Sequence, residues 1–286
     1  DVWWLLVAFV LLNASTLGRS YRWLTLLHSL GSPIRFGRLV GLSYAAGFFN
    51  SVVPSGLAGD VARTVEAAQD IPHDVAAGSV IVDRVTGLII LFVLAILASP
   101  FVPEAFPQLV LLQIVLISVA GLAVCAVVLD GRCLRILGKW APARLRSWWV
   151  KCDQVVVAVA GCGWRAIMVA VWHSLLCSVV QISSWIAVGI SLGYEIPVIY
   201  YFLTVPIMVL VTLMPSIGGL GVRESLAPLL LGAAGLAGGE AIALTLLVFV
   251  VERIAGLLGA PIYLFSIFSG NRNKSERESA GLESIE

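Results

Sequence analysis

Asp83-Arg84 and Glu252-Arg253 are acid-base pairs set inside apolar stretches, and each is followed by Gly-Leu, at Gly87-Leu88 and Gly256-Leu257. Ionised groups in such surroundings either handle a charged substrate or pair with one another to hold helices together. Upstream of each pair lies a glycine-rich break that contains Pro-Ser. The first is Pro54-Ser55-Gly56-Leu57-Ala58-Gly59-Asp60; the second is Pro215-Ser216-Ile217-Gly218-Gly219-Leu220-Gly221. Just past each break stands another arginine, Arg63 in one case and Arg223 in the other. A broken segment leading to a charged helix therefore occurs twice. In a membrane protein such a duplication points to a transport-like site between two halves.

Two chemistries fit these residues. Arg63 and Arg223 are expected near the starts of short helices, where free backbone N–H groups and the positive dipole end favour an anion such as a lipid phosphate. Gly56, Gly59, Gly218, Gly219 and Gly221 permit positive φ and close approach of a ligand to the backbone. Asp60 argues against a plain phosphate nest and is expected to orient Arg63, with Glu66 and Glu224 in similar roles. In the architectural alternative, the glycines only allow tight helix packing. The charges are then buried ion pairs. Four unpaired ionised groups at helix centres would cost on the order of 10 kcal/mol, so Asp83, Arg84, Glu252 and Arg253 need partners. Neighbours on a helix point about 100° apart, so the partners lie elsewhere. Asp60, Arg63, Glu66, Arg223 and Glu224 are the candidates.

The elements that must position these groups are membrane helices. The 286 residues are 59% hydrophobic and 12% charged, with a mean hydropathy of +0.99. A soluble domain carries about 25% charge. Apolar stretches run over about 2–18, 38–53, 75–99, 107–129, 164–192, 198–214 and 240–268, several near the length that spans a bilayer. The fold class is an all-α polytopic membrane protein. A net charge of +1 gives no sign of nucleic acid. The five cysteines and three histidines have no metal-motif spacing. No cofactor, metal site or nucleotide-binding motif is expected.

Loop charges orient the chain. Arg19, Arg22, Arg35 and Arg38 fall in the 19–38 connection, and seven basic residues fall in the 130–165 connection. Arg272, Lys274 and Arg277 fall in the tail. The connections at 100–106 and 193–197 hold none. The positive-inside rule places the basic regions in the cytoplasm. The rest of the 18 basic residues are Arg63, Arg84, Arg223 and Arg253. Segment 38–74 must then leave and return on the cytoplasmic side, and 198–238 on the outer side. Each reads as a re-entrant broken-helix hairpin packed on a long helix, and the two repeats are inverted. The expected organisation is a first membrane half at 1–129, a basic amphipathic cytoplasmic linker at 130–163, a second half at 164–269, and a disordered cytoplasmic tail at 270–286. Asp1 opens the chain without Met, and an upstream segment is expected.

On Phe49-Asn50-x-x-x-Pro54-Ser55-Gly56-x-x-Gly59-Asp60-x-x-Arg63, on Asp83-Arg84-x-x-Gly87-Leu88, and on the run from Pro215 to Glu224, the chain resembles the lysylphosphatidylglycerol synthase transmembrane family of flippase-like membrane proteins. The resemblance covers most of 1–268. Asp60 and Asp83 stand where Glu is common in that family, and its usual first helix is missing here. The resemblance implies an inner-membrane protein that handles lipids, with membrane lipids and a separate transferase or glycosyltransferase as partners. In the multiple peptide resistance factor a related module is fused to a soluble aminoacyl transferase; no transferase region is expected within these 286 residues. The leading expectation is a lipid translocase-like protein. It would bind an anionic or polyprenyl-phosphate headgroup between the hairpins, with phosphate at Arg63 and Arg223. The alternatives are a membrane enzyme or accessory subunit for lipid-linked sugar, with Asp60 or Glu224 as the required carboxylate, and a non-transporting scaffold.

Overall fold

A computed structural model describes residues 1–53, 56–103, 106–130, 162–212 and 219–261. Among these residues the chain is helical and contains no strand. The order is α1 (Val2–Ser29), α2 (Phe36–Val52), α3 (Ala58–Ala67), α4 (His73–Ala98), α5 (Gln108–Asp130), α6 (Gly163–Ser191), α7 (Val198–Val211), α8 (Val222–Leu231) and α9 (Gly238–Leu257). Five of these helices, α1, α4, α5, α6 and α9, are long and apolar enough to cross a membrane. The protein is a multi-pass helical membrane protein. The expected linker falls almost wholly at 131–161, outside the described residues, as do the expected tail, Gly218 and both Pro-Ser dipeptides. The helix expected over 240–268 ends at Leu257, and the description stops at residue 261.

Proline and glycine chemistry sets the element ends. Val53 closes α2 in an extended conformation (φ −89°, ψ 130°), as a residue preceding proline prefers. α3 then begins at Ala58, with Asp60 in its first turn, where a carboxylate complements the helix dipole. Pro72 and Pro197 immediately precede α4 and α7, both in the extended conformation that enters a helix. Gly219 and Gly221 sit at φ +86° and +88°, which L side chains rarely adopt, and Gly221 is the residue that opens α8. The result is two helix-break-helix units, α2–α3 and α7–α8. Their second helices have ten residues each, about 15 Å at 1.5 Å per residue.

Helices that precede and follow 131–161 pack on one another. α1 packs along α6, and α2 packs against α9. Small residues make both approaches possible. Gly18 of α1 lies against Cys177 of α6, and Gly47 of α2 lies against Gly256 of α9. A side chain at Gly256 would run into Ser51 and the Gly47 carbonyl, so the Gly-Leu after the second acid-Arg pair is a packing device. Gly59 is similarly constrained: its N–H donates to Asn50 Oδ1 at 2.8 Å, and a Cβ there would meet the Ala46 carbonyl and Asn50. α5 has little buried surface, with Leu109, Leu112, Leu116 and Ile117 exposed. An apolar helix with an apolar outer face is what a lipid-facing position requires.

The structure changes the reading of the first connection. α1 does not stop near residue 18 but continues to Ser29. Arg19 and Arg22, expected in a cytoplasmic loop, lie on it inside the bundle. Arg22 is only 4% exposed. The helix holds together because no proline or glycine interrupts it between Gly18 and Gly31. Trp23, Leu26 and Leu27 on the same stretch are fully buried.

Candidate functional site

Each helix-break-helix unit is fastened by the arginine of its short helix. Arg63 on α3 reaches the carboxylate of Asp83 on α4, Nη1 to Oδ2 at 3.0 Å. Arg223 on α8 reaches Glu252 on α9, Nη1 to Oε2 at 2.7 Å and Nη2 to Oε1 at 3.3 Å. This is the two-pronged contact that a planar guanidinium makes best. A tryptophan from a long helix covers each guanidinium. Trp23 of α1 lies 5.1 Å from Arg63, and Trp185 of α6 lies 5.2 Å from Arg223. Desolvated contacts of this kind contribute about 2 kcal/mol. The two centres thus also match in the tryptophan that covers each arginine, on α1 and α6, where the sequence alone offered no matching motif.

The first centre carries more charge than the second. Asp83, 2% exposed, also accepts from Arg22 Nε at 2.7 Å. Arg22 in turn donates from Nη1 to Ser174 Oγ on α6 at 2.6 Å. Gly87, one turn beyond Asp83, leaves space for this: a Cβ there would stand 3.3 Å from Arg22 Nη1. Asp60 pairs with Arg63 at 3.1 Å and also with Arg84. Arg84 further donates to the Gly56 carbonyl at the break, at 3.1 Å. Arg253, the matching arginine of the second pair, lacks a carboxylate partner among the described residues. Its Nη1 donates to the Asn50 carbonyl of α2 at 2.7 Å, and its guanidinium lies over Phe249. The arginines of both acid-Arg pairs therefore bond backbone carbonyls of the first unit, Arg84 at Gly56 of the break and Arg253 at Asn50 in the last turn of α2.

Two other candidates lie elsewhere. Glu66 does not touch Arg63; it pairs with Arg38 at 3.2 Å, next to Asp70. Glu224 does not touch Arg223; its Oε2 accepts from the Gly221 N–H at 2.5 Å and closes the first turn of α8. Both are frame contacts.

Between the two centres lie two adjoining cavities of about 220 Å³ each. One borders Asp60, Arg63 and Asp83; the other borders Arg223, Glu252 and Arg253. They share Arg19, Asn50, Arg84 and Gln181 in their walls. Arg19 makes no hydrogen bond or ion pair among the described residues, yet it lines both cavities. Among the described residues, four arginines also keep one guanidinium nitrogen buried without a partner, the Nε atoms of Arg63, Arg84, Arg223 and Arg253. A donor-rich cavity inside an apolar bundle suits an anion.

Residues 1–259 match the family model described as lysylphosphatidylglycerol synthase TM region. The chain belongs to that family. The match spans both helix-break-helix units, both centres and the cavities between them. No curated protein and no solved structure matches the chain. Within this family member, sequence reasoning placed Asp83, Arg84, Glu252 and Arg253 among the charges that need partners, with Asp60 among the candidate partners, and a partner for each of the four is visible. It did not single out Arg19, Arg22, Trp23, Trp185, Ser174 or Gln181. For Arg19 and Arg22 a signal existed. With Trp23 and Leu26 they follow the spacing of three and four that marks one helix face.

Proposed function

We propose that this family member is a lipid translocase-like protein of the cell membrane, which admits an anionic or polyprenyl-phosphate headgroup into the cavity between its two broken hairpins. The observation that carries this reading is Arg19, an arginine without a protein partner among the described residues, lining a cavity between two ion-paired centres. An ionised group held inside an apolar bundle costs about 2.5–3.5 kcal/mol when unpaired. A phosphate entering the cavity offsets that cost. Arg63 and Arg223 border the site and, through Asp83 and Glu252, keep the hairpins seated. Of the glycines at the breaks, Gly56 lines a cavity, whereas Gly59 and Gly219 are packed against Asn50 and Arg223. In this reading the hairpins are re-entrant from opposite faces and the basic connections are cytoplasmic.

Lipid exchange tests it. Purified full-length chain is reconstituted into phosphatidylcholine vesicles that carry a trace of fluorescent phosphatidylglycerol. Outer-leaflet label is then quenched with dithionite. The expected result is loss of the protected inner-leaflet fraction at a rate at least about tenfold above protein-free vesicles, a difference of about 1.4 kcal/mol. A protected fraction identical to that of empty vesicles overturns the reading.

A further inference from the structure

The cavity walls hold more positive charge than a single phosphodiester balances. The charged side chains of the two cavities are six arginines (Arg19, Arg22, Arg63, Arg84, Arg223 and Arg253) against three carboxylates (Asp60, Asp83 and Glu252). Three positive charges are left over among the described lining residues. No lysine or histidine is present there. The sequence at 54–55 and 213–218 adds no ionisable side chain. The surplus is concentrated at the centre. Among the described residues Arg19 and Arg253 have no carboxylate partner, and Arg84 shares Asp60 with Arg63. Around these charges stand neutral polar groups, Thr16, Ser43, Asn50 and Gln181.

From this balance we infer that the cavity selects a phosphate group carrying at least two negative charges, a phosphomonoester or a diphosphate, over the singly charged phosphodiester of ordinary anionic phospholipids. The inference rests on the headgroup reading above and sharpens it to a substrate class. A phosphomonoester carries about −1.5 to −2 at pH 7 and presents three acceptor oxygens. A diester carries −1 and presents two. An arginine-rich cavity of low dielectric discriminates between them, because each charge-assisted hydrogen bond contributes roughly tenfold to a hundredfold in affinity. A headgroup with net positive charge is disfavoured for the same reason. Lysyl-phosphatidylglycerol, whose two ammonium groups outweigh its one phosphate charge, is the weakest ligand of the set. The soluble phosphate ion shares this chemistry with the lipid, so both are tested.

Binding of lipids with identical acyl chains isolates the headgroup charge. The full-length chain in phosphatidylcholine nanodiscs is titrated at pH 7.5 with fluorescent phosphatidic acid, phosphatidylglycerol and lysyl-phosphatidylglycerol. Phosphatidic acid is expected to bind at least about tenfold tighter than phosphatidylglycerol, and lysyl-phosphatidylglycerol more weakly than either. Arg19→Gln is expected to shrink the first ratio, with its melting temperature held near wild type. Phosphatidylglycerol binding as tightly as phosphatidic acid overturns the charge selection and leaves the headgroup site standing. If no anionic lipid binds above background, the headgroup reading itself fails. Inorganic phosphate or pyrophosphate that displaces bound phosphatidic acid at equal concentration reassigns the cavity to a soluble ligand and overturns the lipid assignment.

Discussion

Asp83→Asn is expected to destabilise the folded protein by about 3–5 kcal/mol, the range for removing one partner of a buried ion pair. The loss falls near the top of that range because one carboxylate serves two arginines, Arg22 at 2.7 Å and Arg63 at 3.0 Å. Asparagine keeps the shape but has one acceptor oxygen and no charge. Both guanidinia then lie buried against each other, and Ser174 and Trp23 cannot replace the anion. The consequence spreads, since Arg22 sits on α1, Arg63 on α3 and Asp83 on α4. A thermal melt of purified protein in detergent should show a fall of roughly 6–20 °C, at about 2–4 °C per kcal/mol. Glu252→Gln should cost less, because that carboxylate serves one arginine and is more exposed, 16% against 3% for the two side chains. Equal melting temperatures for Asp83→Asn and wild type would show that the first centre does not hold the bundle.

Arg19→Gln is expected to do the opposite: stability is kept and lipid movement is lost. Arg19 holds no protein partner among the described residues, so no acceptor is orphaned when its charge goes. Removing an unpaired charge from an apolar bundle is neutral or stabilising. Its removal deprives a bound phosphate of a charge-assisted contact, about 1.5–3 kcal/mol. The dithionite assay should therefore show exchange slowed by roughly tenfold to a hundredfold at an unchanged melting temperature. Exchange at the wild-type rate would remove Arg19 from the site.

These two residues also mark how far the sequence was legible. Asp83 was readable as a charge in need of a partner, because an acid deep in an apolar run is costly and adjacent residues on a helix diverge. Which hairpin charge it would take was not readable: Asp60, Arg63, Glu66, Arg223 and Glu224 were all candidates, and Arg63 and Arg223 were assigned to phosphate, whereas the structure pairs them with Asp83 and Glu252. Arg19 was read as a loop residue, although its spacing from Arg22, Trp23 and Leu26 places it on one helix face with them. The apolar stretch 2–18 spans about 25 Å as a helix, most of the hydrocarbon core, so a basic cluster after it looks like a cytoplasmic loop. The helix instead runs to Ser29, because its first breakers are Gly31 and Pro33 and because Trp23, Leu26 and Leu27 are buried. Glu66 and Glu224 were misplaced for a related reason. Spacing put them within reach of an arginine, but spacing cannot tell that partner from another donor on a neighbouring element. Arg38 took one and the Gly221 N–H took the other.

The most direct measurement is the position of a lipid phosphate in the protein. Electron cryomicroscopy of the full-length chain in nanodiscs supplied with phosphatidic acid should show phosphate density between the Asp83 and Glu252 centres, within hydrogen-bond distance of the Arg19 guanidinium. Both carboxylates should remain paired with Arg63 and Arg223. Ordered phosphate density elsewhere on the protein, with the cavity between the two centres free of lipid at the same occupancy, would contradict the assignment.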